Sequence, residues 1–478
     1  MKFVQLAAAA AVVGSGSLVS GAQVESSSAS VSRTPRTYST INPKASDIAK
    51  AASNATTNHF TSSVKGAAFD RMVVIWLENT DYDKAAGQED MQWLASQGIL
   101  LDNYWGVTHP SEPNYVASVG GDYFALDDDR FIALPANVST VVDLLDSKSI
   151  SWGEYEEHMP YSGFQGFNYS NQETFANDYV RKHNPLIIFD SVAQNQTRLG
   201  NIKNFTMFEK DLADKTLPQF FHITPNMTND GHDSTIKVAA NWSRSFLTPL
   251  LQNEYFTNNT LIVLTFDEND TYSIKNKVFT ILLGGAVPEE LKGTTDSTFY
   301  DQYSLISTPE ANWDLPSLGR NDVNANVFQF VANKTNVTNR NVDTTYMVNN
   351  ATYVGYLLDD TIPLPAPNVT AINMNGKPVL KAIVDKWGAE YSAQLSQSYF
   401  TSTTTTVSGS ISEAPTTIKS ASATITSASA TTSGSTAAKN STSSNGTRVS
   451  TKSSSGGAAA IAVLPVSGLL GLIVAYLL

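Results

Sequence analysis

Short, nearly unbroken runs of β-branched and aliphatic residues recur through the middle of the chain, separated by amphipathic stretches. This is the pattern of buried parallel strands joined by helices. The clearest runs are residues 72–77 (MVVIWL), 219–223 (QFFHI), 261–266 (LIVLTF) and 279–283 (FTILL). Between them, residues 139–147, with Ser139 placed to cap, and residues 236–251 predict helices. The fold class that follows is α/β. No internal repeat interrupts it.

The two ends of the sequence differ from this middle part. Lys2 precedes an apolar run over residues 3–13, and the small residues Ser20, Gly21 and Ala22 then offer a cleavage site, which predicts a signal peptide over 1–22. Residues 458–478 are apolar and uncharged with no Lys or Arg after them, unlike a stop-transfer helix. A GPI signal fits, with attachment at Asn445 or at Ser454/Ser455 and a hydrophobic tail over 456–478; a single-pass helix is the alternative. Residues 401–455 are almost wholly Ser, Thr, Ala and Gly and read as an O-glycosylated stalk. Residues 23–63 read as a Ser-rich disordered leader, leaving 64–400 as one catalytic domain. Sequons such as Asn54, Asn137 and Asn241 agree with export to the cell surface. Cysteine is absent, so stability has to come from burial and not from disulfides. A net charge of −13 without a basic run argues against a nucleic-acid partner. Oligomeric state is not encoded legibly.

Two predicted strands end directly on acidic residues. The first runs into Glu78-Asn79 and the second into Asp267-Glu268, about 190 residues later. Ligand sites of open parallel sheets lie outside the carboxyl ends of the strands, so the two clusters can meet. Either one alone is equally well explained as a turn toward solvent. Together, Glu78, Asn79, Asp267 and Glu268 make an oxygen-rich donor set for a divalent cation. Oxygen donors favour magnesium, calcium or manganese, whereas zinc or iron would require histidine to join. A third segment, Gly106 to Gly121, carries Ser111 two residues before Pro113, at the predicted start of a helix where an anion is favoured. A hydroxyl there can attack phosphorus. It can equally serve only as an N-cap.

Glu78-Asn79-Thr80-Asp81-Tyr82-Asp83 resembles the opening motif of the phosphoesterase family that contains non-specific phospholipases C and a group of acid phosphatases. Ser111-Glu112-Pro113-Asn114-Tyr115 is similar to that family's nucleophile motif, and Asp267-Glu268 to its metal motif, in the same order. The 182–185 segment (KHNP) and the 312–320 segment look most like fungal secreted acid phosphatases. The resemblance implies an alkaline-phosphatase-like, mostly parallel central sheet flanked by helices, and a phosphoseryl intermediate on Ser111. It implies metal-side roles for Glu78, Asn79, Asp267 and Glu268 and a phosphate contact from Asn114. Sulfatase chemistry is disfavoured by Tyr115 in place of Arg and by the lack of Cys. One departure is Gln302, where the resemblance leads one to expect His.

Six histidines are available. His232, in a polar loop about 35 residues before Asp267, and His183 are the candidates for proton transfer. Lys182 and His109 are candidates for binding phosphate. His222 sits in an apolar strand, His158 is peripheral, and His59 falls in the leader. The expected function is hydrolysis of small phosphate monoesters outside the cell, with a membrane link through the anchor. A phospholipase C-type diesterase and an inactive wall-bound adhesive glycoprotein are the competing readings. The Asn269-Asp270-Thr271 sequon beside the expected ligands is expected to stay unglycosylated.

Overall fold

A computed structural model describes residues 44–401. The expected signal peptide, most of the leader, the stalk beyond 401 and the hydrophobic tail lie outside the described residues. Among the described residues, no helix is long and apolar enough to cross a membrane.

Eleven strands form among the described residues, in chain order β1 (Arg71–Leu77), β2 (Ile99–Trp105), β3 (Trp152–Glu156), β4 (Asn168–Ser170), β5 (Asn177–Val180), β6 (Ile202–Asn204), β7 (Phe220–Thr224), β8 (Thr260–Phe266), β9 (Lys277–Leu283), β10 (Thr294–Asp296) and β11 (Tyr300–Asp301). Nine of them build one sheet in the order β10-β2-β9-β8-β1-β7-β3-β6, with β11 beside β2. All pairings are parallel except the two made by β9. β4 and β5 make a separate hairpin. The four predicted runs are thus strands β1, β7, β8 and β9, and β1 and β8 are buried along almost their whole length because helices cover both faces of the sheet.

The predicted 236–251 helix is Ile236–Leu251, with the Thr235 side chain accepting from the Val238 N–H. The predicted 139–147 helix is shorter, Val141–Asp146, and its cap is Thr140 instead of Ser139. Thr140 forms a capping box with Asp143, so the sequence spacing of Thr140 to Asp143 outweighs the earlier serine.

The leader boundary at 63 is too late. Residues 45–52 form a helix, Ala45–Ala52, and the irregular segment after it is tied to the sheet. The Ser62 N–H donates to Ser151 Oγ at 2.9 Å, and Ser62 Oγ donates to Gln219 Oε1 at 2.5 Å. His59, assigned to the leader on composition, places Nδ1 2.5 Å from Asp211 Oδ1. Asp211 also accepts from Lys203 Nζ and from the Tyr155 hydroxyl, each at 2.6 Å, on a side chain with no exposure. Serine content indicated disorder because composition does not register hydrogen bonds to distant partners.

Burial alone would push the Asp211 carboxyl up, but the Lys203 charge and the bonds from His59, Lys203 and Tyr155 outweigh it and hold the group below the ordinary carboxylate range. Its contribution is present above the unfolded carboxyl pKa and is lost as pH falls through the lower folded value. Asp211→Ala is expected to cost about 3–5 kcal/mol, because it leaves the Lys203 ammonium buried without a counter-charge. Urea unfolding at neutral pH checks this, and a loss below about 1 kcal/mol would show that water replaces the carboxylate.

Candidate active site

β1 and β8 are neighbours in parallel register, with Leu77 opposite Phe266. The residues that follow, Glu78 and Asp267, therefore leave the same sheet edge side by side. The junction is closed by the Asp267 N–H donating to Leu77 O at 3.2 Å and the Asn79 N–H donating to Asp267 Oδ1 at 3.4 Å. Asn79 has φ 32°, a left-handed conformation that Asn tolerates better than most residues. β2 points toward the same edge, and after it the chain turns at Gly106, where a Cβ would lie 2.6 Å from the Asn276 side chain. The helix Ser111–Gly120 then begins, and it ends on Gly121 at φ 71°.

Ser111 lies at the first position of that helix and is buried. Its hydroxyl is 3.1 Å from Glu78 Oε2, 3.4 Å from Asn79 Oδ1 and 3.2 Å from Glu268 Oε1. Three of the sequence-predicted metal-side residues thus surround it directly. Asp267, the fourth, is wholly buried and accepts the Asn79 N–H beside them. Glu268 is held from its other oxygen by His109 Nδ1, and the His109 ring stacks on Tyr272 with centroids 3.8 Å apart. Glu78 accepts from the Tyr115 hydroxyl on Oε1.

His183 and His232 come to this cluster from loops that sequence spacing alone did not place. His183 Nε2 is 3.4 Å from Glu78 Oε1, its ring stacks on Tyr115 at 5.2 Å, and it lies 5.7 Å from the His232 ring. One ligand atom each from Glu78, His183 and His232 lies within 4.8 Å of the others, a grouping able to hold a metal ion. Two imidazoles therefore stand beside one carboxylate of the expected oxygen-rich donor set.

Several buried polar atoms here have no hydrogen-bond partner: His183 Nε2, Asp230 Oδ2, Asp267 Oδ2 and His109 Nε2. Burial, reinforced by Asp267 and Asp230, pushes the Glu78 carboxyl well above its ordinary value. Burial pushes Asp267 up to about 7, and burial with the neighbouring Asp267 pushes Glu268 up to about 10. Burial, with Lys182 and His232 nearby, pulls His183 well below the ordinary imidazole value, and burial lowers His109 to about 4. Crowded carboxylates whose ionisation is resisted, beside neutral imidazoles with free nitrogens, fit a bound cation, which would let the carboxylates ionise and satisfy the free atoms.

Two predicted residues have other geometry. Asn114 is wholly buried; its Oδ1 accepts from the Val107 N–H at 2.8 Å, and its Nδ2 donates to Thr108 O at 2.8 Å and Pro110 O at 3.2 Å. These bonds grip the turn that delivers Ser111. Lys182 Nζ donates to Asp129 Oδ2 at 2.8 Å and lies 3.5 Å from His232 Nε2. Burial would lower the Lys182 pKa, but Asp129, Glu78 and Asp267 outweigh it and raise it, so the ammonium stays charged.

Gln302 is buried behind the site. Its Nε2 donates to Asp267 O at 2.8 Å and Phe266 O at 3.3 Å, while its Oε1 accepts from the Tyr104 hydroxyl at 3.1 Å. It therefore supports the backbone beneath Asp267.

Sequence reasoning missed Tyr115, Asp230 and Asp129. Tyr115 was noted only as not being Arg. Asp230 stood in the same Asn229–Asp233 loop as His232; it accepts the Glu78 N–H on its backbone oxygen at 3.0 Å and the His232 N–H on Oδ1 at 2.8 Å. Asp129 lies in the acidic run of residues 127–129. His222 accepts from Trp76 Nε1 at 2.9 Å inside the core. His158 sits 2.9 Å from Asp178 at the periphery. A separate hollow of about 650 Å³, lined by Asp70, Arg71 and Tyr255 among others, opens elsewhere on the molecule. Its Arg71 guanidinium is already bonded to Pro218 O and Tyr255 O, and it holds no comparable reactive group.

The model of the phosphoesterase family matches residues 88–316. A Kluyveromyces lactis protein named "Probable acid phosphatase" is 63% identical over 85% of this chain and 96% of its own length. An Aspergillus fumigatus acid phosphatase is 62% identical over 66% of this chain and 70% of its own. Among solved structures, a Vibrio parahaemolyticus protein of the alkaline phosphatase superfamily is 10% identical with a TM-score of 0.33, covering 55% of this chain and 73% of that one.

Two outcomes follow from the geometry. Gln302→Leu removes the donor beneath Asp267 and is expected to weaken metal retention about 10- to 100-fold, read by metal analysis after graded chelation; unchanged retention would place the support elsewhere. Asn269 is wholly buried, with Nδ2 donating to Asp81 Oδ1 at 3.2 Å and Thr271 O at 2.9 Å. Peptide mapping is therefore expected to find it free of glycan, and a glycan there would contradict this packing.

Proposed function

This chain belongs to the phosphoesterase family, and from that premise we propose that it is an extracellular acid phosphatase that cleaves phosphate monoesters through a phosphoseryl intermediate on Ser111, with bound metal. Phosphatase activity is supported by the acid phosphatases 62–63% identical to it. The observation that carries the mechanism is the placement of Ser111 Oγ within 3.1–3.4 Å of Glu78, Asn79 and Glu268 at a helix start.

Ser111 Oγ forms the new bond to phosphorus as the bond to the leaving alcohol breaks. Its proton passes to a carboxylate it already touches, and Glu268, once a bound cation lets it ionise, suits this role because its second oxygen is fixed by His109. The charged Lys182 neutralises phosphoryl oxygens. The proton held by Glu268 passes to the departing alkoxide oxygen; water then attacks the phosphoserine, its proton returning to Ser111 Oγ as the phosphorus–Oγ bond breaks and phosphate is released. Glu78, His183 and His232, with Asp267 beside Glu78 at the strand ends, would hold the metal. Bound there, it supplies charge neutralisation and a lowered pKa for the attacking oxygen. The mixed nitrogen and oxygen donors suit zinc, iron or manganese better than calcium or magnesium. His183, buried and held neutral, fits a ligand better than the proton-donor role expected from sequence. Location at the cell surface through a GPI anchor rests on the composition of the two ends.

Ser111→Ala is expected to lower turnover of p-nitrophenyl phosphate by about 10³-fold or more while secretion continues. Activity within tenfold of the parent would remove Ser111 as the nucleophile. A phosphocholine diester assayed alongside separates the monoesterase from the diesterase reading.

A further inference from the structure

The helix that begins at Ser111 should offer an incoming phosphate its first free N–H groups. Pro113 has none, and the Glu112 N–H is already taken: it donates to Asp129 Oδ1 at 3.0 Å. The other oxygen of the same carboxylate accepts from Lys182 Nζ at 2.8 Å. One internal carboxylate therefore bridges the N–H next to the nucleophile and the ammonium that stands above it.

Asp129 is directed there by its own segment. Arg130 Nη1 pairs with Asp128 at 2.7 Å and lies 3.6 Å from Asp127, and Arg130 Nη2 donates to Leu357 O at 2.5 Å. The neighbouring acidic residues are thus turned to Arg130, and Asp129 alone of the three faces the helix start. It lies outside regular secondary structure and its side chain is 30% exposed, so it can swing away without disturbing the sheet.

We propose that Asp129 is an internal competitor for the phosphate position: it holds Glu112 N–H and Lys182 Nζ until a phosphate monoester displaces it, and so sets how tightly phosphate binds. The inference rests on the phosphatase reading for the identity of the displacing anion. A single N–H cannot serve a carboxylate and a phosphoryl oxygen at full strength together, and two anions on one ammonium repel. An anion of lower charge than a phosphate dianion would displace Asp129 poorly, which favours dianionic monoesters over diesters, whose phosphate carries a single negative charge.

The test is calorimetric binding of inorganic phosphate and of vanadate to the metal-loaded protein as purified, comparing the parent with Asp129→Asn. Asn keeps an oxygen for the Glu112 N–H and removes the negative charge that faces the Lys182 ammonium. Binding about three- to tenfold tighter in the variant is expected, with KM for p-nitrophenyl phosphate falling in parallel. Equal or weaker binding overturns the proposal, because it means Asp129 positions Lys182 for substrate; absence of binding to both proteins overturns it as well. Tighter binding by a protein whose parent fails to turn over p-nitrophenyl phosphate would sink the phosphatase reading and keep the competitor. Should Asp129→Asn not fold, a crystal structure of the parent with vanadate decides: Asp129 released from both donors supports the proposal, and both contacts retained refutes it.

Discussion

The structure turns on two parallel strands that lie side by side and both end on carboxylates. Leu77 opposite Phe266 fixes the register, and a slip of one residue would send one carboxylate to the opposite face of the sheet. Because the strands are covered on both faces, Glu78 and Asp267 emerge into a low-dielectric edge that cannot simply hydrate them. Burial, with Asp267 and Asp230 close by, therefore raises Glu78, and burial raises Asp267. The rest of the edge is arranged around that cost. Ser111, Tyr115 and Asn79 give these oxygens hydrogen-bond partners, His183 brings a free nitrogen, and Lys182 supplies a nearby positive charge.

What could be read from sequence follows from this arrangement. Strands β1, β7, β8 and β9 were legible because full burial demands continuous apolar runs, and acidic residues at the ends of two of them marked the edge. The helix start at Ser111 was legible through Pro113. Loop-borne groups were not. His183 stands in a short 3₁₀ turn and His232 in a loop between β7 and the helix Ile236–Leu251, and neither has a periodicity that aims it. Nothing local tells a histidine that shares a site with Glu78 from one that protonates a leaving group. The hydrogen bonds of Asn114 were not legible for a related reason. A polar residue next to a nucleophile can face the cleft or hold the turn, and only the Val107 N–H and the Thr108 and Pro110 carbonyls show which.

Gln302 illustrates how a departure from a family pattern is settled by geometry. Histidine at this position would offer at most one donor and one acceptor. The amide of Gln302 reaches two carbonyls, at Phe266 and Asp267, and its oxygen meets the Tyr104 hydroxyl. The substitution thus preserves a polar support behind the metal-side carboxylate and does not place a new group in the site.

A chain without cysteine still has to fix long loops at its catalytic edge, and asparagine performs that task. Asn276 receives the Asn269 N–H at 2.8 Å and donates to Thr108 O at 2.8 Å, joining the loop after β8 to the loop before Ser111. Asn349 donates to Gly106 O at 3.0 Å and receives the Asn276 N–H at 3.1 Å, bringing in a third segment more than seventy residues further along the chain. Asn114 closes the same turn from within the helix. Each of these amides is buried and couples backbone groups that would otherwise lack partners, so losing one leaves several unsatisfied at once. Such a lattice needs no oxidising step to form, yet it holds Ser111 against Glu78 and Glu268 with the positional definition that attack on phosphorus requires. Gly106 belongs to the same device, because the closeness of Asn276 to its Cα leaves no room for a side chain there.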